Sequence, residues 1–190
     1  GNKALYLIAA APADKTIKGL YRLDLKTREY VKVFHAGDTD VVVPFVSREG
    51  ELYGLGVERH YPEFIAVNEK HELTKITQAL FSSFGGANVF VTSTAEDKSK
   101  LVFEVSAPDS PSTFYLFDRS SNKATFLLKA YSSIDSSLLS PTEGFTISSR
   151  DGLTLHGYIT LPAENATNLP LVVMPHGGPH ARDYWQYDPT

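Results

Sequence analysis

The sequence predicts a mainly β protein in two parts, a repeated β region followed by the opening strands of a second domain. Three observations predict it. Short β-branched and aromatic runs are punctuated by Gly, Asp and Asn over residues 1–135. Those runs recur at a spacing of 44 to 50 residues. Beyond residue 140 the pattern changes to a hairpin, a loop and one continuous apolar run.

The chain has 190 residues, 21% charged, 42% hydrophobic and 12% aromatic, with a formal charge of −4. That is a globular mix, unlike the aromatic-poor, highly charged composition of disordered chains. The weakly acidic balance leaves no basic stripe, so nucleic acid is not an expected partner. No cysteine is present, which removes disulfides, thiolate metal sites and a cysteine nucleophile together, and leaves the compartment open. The apolar runs 4–11 and 169–175 are far shorter than the roughly 20 residues of a membrane span, so no membrane is expected as a partner. The first run, with Lys3 before it and Ala9-Ala10-Ala11 at its end, also has the look of a secretory signal core; the repeat explains it better as a strand.

The repeat is read element by element. Leu20-Tyr21-Arg22-Leu23-Asp24 leads through Lys26-Thr27-Arg28 to Tyr30-Val31-Lys32-Val33. Glu63-Phe64-Ile65-Ala66-Val67-Asn68 leads through Glu69-Lys70-His71 to Leu73-Thr74-Lys75-Ile76, read as a strand. Phe114-Tyr115-Leu116-Phe117-Asp118 leads on to Thr125-Phe126-Leu127-Leu128. Asp24, Asn68 and Asp118 stand 44 and 50 residues apart, and the upstream pairs Leu5-Tyr6, Leu52-Tyr53 and Leu101-Val102 stand 47 and 49 apart. An Asp or Asn at each turn bonds nearby backbone and tolerates a left-handed conformation. This period with four strands per unit predicts a partial β-propeller of about three blades, the first without its opening strand. A sandwich of evenly spaced hairpins is the alternative. Helical spacing is weak throughout, with at most one turn over 77–83. Three blades leave apolar faces open, so self-association through the open propeller edge is expected unless the chain is part of a longer protein.

The Ser-rich stretch 131–142, with Pro141, reads as a change of domain. The expected division is propeller blades over 1–135, a linker over 136–144 and a second domain over 145–190. Phe145-Thr146-Ile147-Ser148, the turn Arg150-Asp151-Gly152 and the alternating run 153–161 predict an antiparallel hairpin. The loop after it holds Asn165-Ala166-Thr167, a glycosylation sequon read here as a chance match. Pro170-Leu171-Val172-Val173-Met174-Pro175 is expected to be a strand buried on both faces of an α/β sheet. It leads straight into His176-Gly177-Gly178-Pro179-His180, where adjacent glycines let backbone N–H groups converge on a developing negative charge. A His-Gly-Gly loop after a buried strand is where α/β-hydrolases build half of an oxyanion hole.

Arg150-Asp151-Gly152-Leu153-Thr154-Leu155-His156-Gly157-Tyr158 with Leu161-Pro162, followed by the 171–180 segment, resembles the start of the catalytic domain in the prolyl oligopeptidase family, the acylaminoacyl-peptidase branch above all. That resemblance implies a β-propeller placed before an α/β-hydrolase domain, and a serine peptidase hydrolysing short peptides that pass the propeller. It implies that the Gly178 N–H stabilises the tetrahedral oxyanion, that Gly177 shapes the loop, and that His176 anchors the loop where other branches carry a tyrosine. No Gly-x-Ser-x-Gly occurs in the 190 residues, so the Ser, Asp and His of a triad are not among them, and the chain by itself is expected to be inactive. No cofactor and no metal are expected. His176 and His180 have the spacing of a helical zinc pair, but Gly177-Gly178-Pro179 forbids the helix; His35, Asp38 and Asp40 read as a solvated loop before a weak cation site. His60, His71 and His156 read as surface or hairpin residues. Tyr6, Tyr21, Tyr53, Phe64, Phe114 and Tyr115 either line a propeller channel or fill the core between blades, the second being the commoner use of strand aromatics. Two other readings stay open: a propeller that binds peptides or proteins with a vestigial hydrolase start, and an esterase using the His-Gly-Gly loop.

Overall fold

A computed structural model describes residues 3–10, 17–162, 167–179 and 181–189. The sequon at Asn165-Ala166-Thr167 and the second histidine of the 176/180 pair lie, wholly or in part, outside the described residues. The protein is mainly β, built of small antiparallel sheets, and it divides into two compact units, 1–78 and 79–190.

In the first unit, β1 (Ala4–Ala10), β2 (Lys18–Asp24) and β3 (Tyr30–Phe34) form one antiparallel meander. The run considered as a signal core is thus strand β1. A second meander is made by β4 (Val41–Val46), β5 (Leu52–Glu58) and β6 (Pro62–Ala66). β5 is paired on both edges and Leu20, Ile8, Val33 and Phe34 of the first meander pack with Leu52, Leu55 and Val57, so the strand is buried at every position. Leu20 of β2 meets Val41, Leu52, Leu55 and Val57 in one apolar cluster, joined by Ile8, Val33, Phe34 and Ile65, so the two meanders share a core. At the expected turn, the Asp24 carboxylate accepts from the N–H groups of Lys26 (2.8 Å) and Thr27 (3.0 Å). Those bonds, Thr27 foremost, hold its pKa below the ordinary value.

The last strand expected in the second repeat is replaced by a helix. Helix α1 spans Glu72–Ser83, so Leu73-Thr74-Lys75-Ile76 is helical, and the helix is three turns long instead of one. Leu73, Thr74, Thr77 and Leu80 are its buried residues. Two of the four are threonines, so an apolar-only pattern hides the helical period. The Thr74 hydroxyl donates to the Asn68 carbonyl at 2.7 Å and to that of Tyr53 at 3.3 Å, which satisfies it without exposure.

In the second unit, β7 (Asn88–Thr94), β8 (Lys100–Ala107), β9 (Ser110–Asp118) and β10 (Lys123–Lys129) make a four-stranded meander in sequence order. Leu101, Phe103, Val105 and Ala107 of β8 alternate into the core with Val89 and Phe117. Phe103 stacks on Tyr115 (5.3 Å, 16°), with Phe84 against both. Asp118 closes its hairpin as Asp24 does, accepting from the N–H groups of Ser120 and Ser121. Outermost strand β10 is exposed along its length.

After a short 3-10 turn (Ser136–Leu138), β11 (Thr142–Ser148) and β12 (Thr154–Thr160) form the expected hairpin, paired from Thr142–Thr160 to Ser148–Thr154. Its turn is fixed by Gly152 at φ +84°, by the Ser149 N–H to the Leu153 carbonyl (2.8 Å) and by the Ser149 hydroxyl on the Asp151 carboxylate. The β7–β10 sheet and this hairpin fall in one compact unit, and β11 begins at Thr142.

The expected buried strand over 170–175 does not form. These residues have no strand pairing, and Leu171, Val172, Val173 and Met174 are 70 to 81% exposed. A strand buried on both faces needs a hydrogen-bonded neighbour and covering layers, and the described residues supply neither beside this run.

Candidate functional site: the His-Gly-Gly loop

His176, Gly177 and Gly178 lie in irregular, exposed backbone following the apolar run. The His176 Nδ1 meets the carbonyl of Gly177 at 2.8 Å, an interaction between chain neighbours that shapes the loop locally. A Cβ built on Gly177 meets nothing within 4 Å, so the space in front of this residue is open. Adjacent N–H groups in an open, Cβ-free stretch are chemically able to donate to an anionic oxygen. The Gly178–Pro179 peptide is cis.

Downstream the chain is held. Arg182 lies over the Tyr184 ring at 5.0 Å, and Tyr187 packs on Tyr131 at 5.6 Å. The Trp185 Nε1 donates to the Thr142 carbonyl at 2.8 Å, while the Trp185 carbonyl accepts from Asn88 Nδ2 at 2.8 Å. Sequence reasoning passed over this cluster. The only signal for it was that Trp185 is the single tryptophan of the chain.

The other candidate residues are placed as follows. Asp38 is gripped by Arg59 through two bonds of 2.8 and 3.0 Å, and the same guanidinium takes both Glu63 oxygens. The Arg59 bonds hold the Asp38 carboxyl below its ordinary pKa. Asp40 accepts from the Lys18 N–H at 2.7 Å, and the His35 Nδ1 accepts from the Gly37 N–H. Among the described residues no group of three His, Asp or Glu side chains is arranged to hold a metal, and no helix is long and apolar enough to cross a membrane.

His71 departs from the surface reading. Its side chain is 9% exposed, stacks on Tyr53 at 5.1 Å and 14°, and accepts the Leu73 N–H at the start of α1. It caps the helix in the manner usually left to Ser, Thr, Asp or Asn. Of the six strand aromatics, Tyr21 and Tyr53 are buried, Phe64 packs on Phe45 and Tyr53, and Tyr115 stacks on Phe103, all core filling; Phe114 is half-buried in β9 and Tyr6 is 40% exposed. Burial raises the pKa of the Tyr53 phenol.

No family model matches the chain. Dipeptidyl aminopeptidase BIII of Pseudoxanthomonas mexicana is 38% identical over 104 residues, which is 50% of this chain and 15% of the relative. Dipeptidyl peptidase family member 6 of Caenorhabditis elegans is 25% identical over 152 residues, 68% of this chain and 20% of the relative. The chain resembles peptidases of the prolyl oligopeptidase family. A solved chain from a structural analysis of two prolyl endopeptidases superposes with a TM-score of 0.51 at 12% identity, covering 86% of this chain and 25% of that one, which is a likeness of fold. The chain therefore spans between 15 and 25% of these three proteins. The fold likeness extends over most of the residues and is not confined to the hairpin and loop.

Proposed function

We propose that these residues are part of a serine peptidase of the prolyl oligopeptidase family that hydrolyses short peptides by acyl-enzyme chemistry. The meanders up to residue 135 are blades of a β-propeller that gates substrate access. Residues 145–190 open the α/β-hydrolase catalytic domain. The observation that carries the reading is the order of parts: four-strand meander, Arg150-Asp151-Gly152 hairpin, then His176-Gly177-Gly178-Pro179, in a chain similar to two dipeptidyl peptidases.

In that chemistry a serine hydroxyl, relieved of its proton by a histidine, attacks the peptide carbonyl, and negative charge gathers on the carbonyl oxygen. The Gly178 N–H donates to that oxygen, with Gly177 leaving room for it. A single donor of this kind is worth about 10²–10³ in kcat. His176 holds the loop through its contact with the Gly177 carbonyl. The nucleophile, acid and base come from outside these 190 residues, so the polypeptide alone has no turnover. Its exposed β10 face, with Phe126, Leu127 and Leu128, is where copies of it associate.

The test uses the longer protein with a dipeptidyl chromogenic substrate and a serine-directed phosphonate. Turnover with covalent labelling of one serine is expected, and Gly178→Pro, which deletes the N–H, lowers kcat about 10²–10³-fold while Gly178→Ala does not. Absence of labelling and turnover contradicts the peptidase reading; undiminished kcat in Gly178→Pro contradicts the role of this loop. For the 190-residue polypeptide, a clean monomer by light scattering at high concentration contradicts self-association.

A further inference from the structure

The loop that carries Gly177 and Gly178 begins and ends at one place. It leaves the hairpin at Thr160, the last residue of β12, which is paired with Thr142, the first residue of β11. The two threonine hydroxyls also meet, at 2.6 Å. The chain then runs through the exposed apolar stretch and the His-Gly-Gly segment, whose described residues belong to no strand. It returns at Trp185, whose indole N–H donates to the carbonyl of that same Thr142 at 2.8 Å. The base of the loop is therefore closed by a side-chain bond onto the residue beside its own starting point.

A second tie fixes the returning strand of the loop. Asn88, the first residue of β7, donates its side-chain amide to the Trp185 carbonyl at 2.8 Å. The Gln186 N–H turns back to the Tyr184 carbonyl at 2.9 Å, which folds the backbone tightly around Trp185. Trp185 thus touches the sheet through its backbone and the hairpin through its ring, both within the second compact unit.

We infer that Trp185 is a positioning residue for the Gly177-Gly178 N–H groups: by closing the loop on Thr142 and Asn88 it sets where those donors stand. The inference rests on the oxyanion role proposed above for the loop. Misplacement of a catalytic group by about 1 Å costs on the order of 10²-fold in rate, so a closure bond seven residues downstream of Gly178 acts on catalysis without touching substrate.

The test is made in the full-length protein with two readouts. Trp185→Phe keeps an aromatic ring and removes the N–H, and Trp185→His restores a ring donor. The expected result for Trp185→Phe is a kcat lowered about tenfold with KM changed less than about twofold, and backbone amides over 176–178 exchanging with deuterium about tenfold faster. Trp185→His recovers part of both, and Asn88→Ala shifts both in the same direction. Unchanged exchange over 176–178 in Trp185→Phe overturns the inference, whether or not the protein turns over peptides. Absence of turnover in the wild-type protein overturns the peptidase reading instead, and leaves exchange to decide the positioning role.

Discussion

Two apolar stretches of similar length meet opposite fates. Leu52–Glu58 is buried at every position, whereas Leu171, Val172, Val173 and Met174 are 70 to 81% exposed. By composition the second is the better strand, an unbroken run with no glycine, while the first contains Gly54 and Gly56. The difference lies in neighbours. β5 has β4 on one side and β6 on the other, and its glycines admit close packing: a Cβ on Gly54 would collide with the edge of the Phe64 ring. The 171–174 run has no hydrogen-bonded neighbour among the described residues. Apolarity selects which residues are worth burying; the sheet decides whether they are buried.

The contrast is sharpest in the core. Leu55→Ala removes a side chain that is 0% exposed, and is expected to cost about 3 kcal/mol by urea unfolding of the 190-residue polypeptide. A loss under about 1 kcal/mol would show that the β4–β6 core is loosely packed. Thr74→Val, which removes the buried hydroxyl donating to Asn68 and Tyr53, is expected to cost about 1 kcal/mol in the same experiment. A neutral result there would mean that the N–H groups of Val67, Asn68 and His71, which also bond these two carbonyls, are enough to satisfy them.

Acid separates the turns from the unpaired run. Side-chain bonds from Ser120 and Ser149 and backbone bonds from Thr27 are the first causes that hold Asp118, Asp151 and Asp24 below the ordinary 3.8. A carboxyl whose folded pKa is lowered contributes stability that is full above the unfolded value and fades as pH falls through the folded one. The urea midpoint is therefore expected to be flat above about pH 5 and to drop below the ordinary carboxylate range. Asp118→Asn, which keeps an acceptor but cannot titrate, should flatten part of that drop; an unchanged pH profile would remove this turn from the balance. The smallest effect is expected at Val172→Ala, within about 0.5 kcal/mol in the same polypeptide, because its side chain already faces solvent.

The hairpins were legible because each is local. Asp24 and Asp118 bond their own turns, and Ser149, Asp151 and Gly152 close theirs with no help from distant chain. Helix α1 was not legible as a helix, since half of its buried face is Thr74 and Thr77 and its cap is His71. The His-Gly-Gly loop stood out for its glycines, but its anchorage did not. Trp185 finds Thr142 and Asn88 across 43 and 97 residues, separations that carry no periodic trace.

The most direct measurement is residue-resolved hydrogen exchange over 52–58 and 171–174, in the 190-residue polypeptide and in the longer protein. The expected result is slow exchange over 52–58 in both, with 171–174 open in the polypeptide and protected in the longer protein, where the proposed hydrolase domain would supply flanking strands. Equal protection of 171–174 in the two, or its absence from the longer protein, would contradict the reading of these residues as the opening of a peptidase domain.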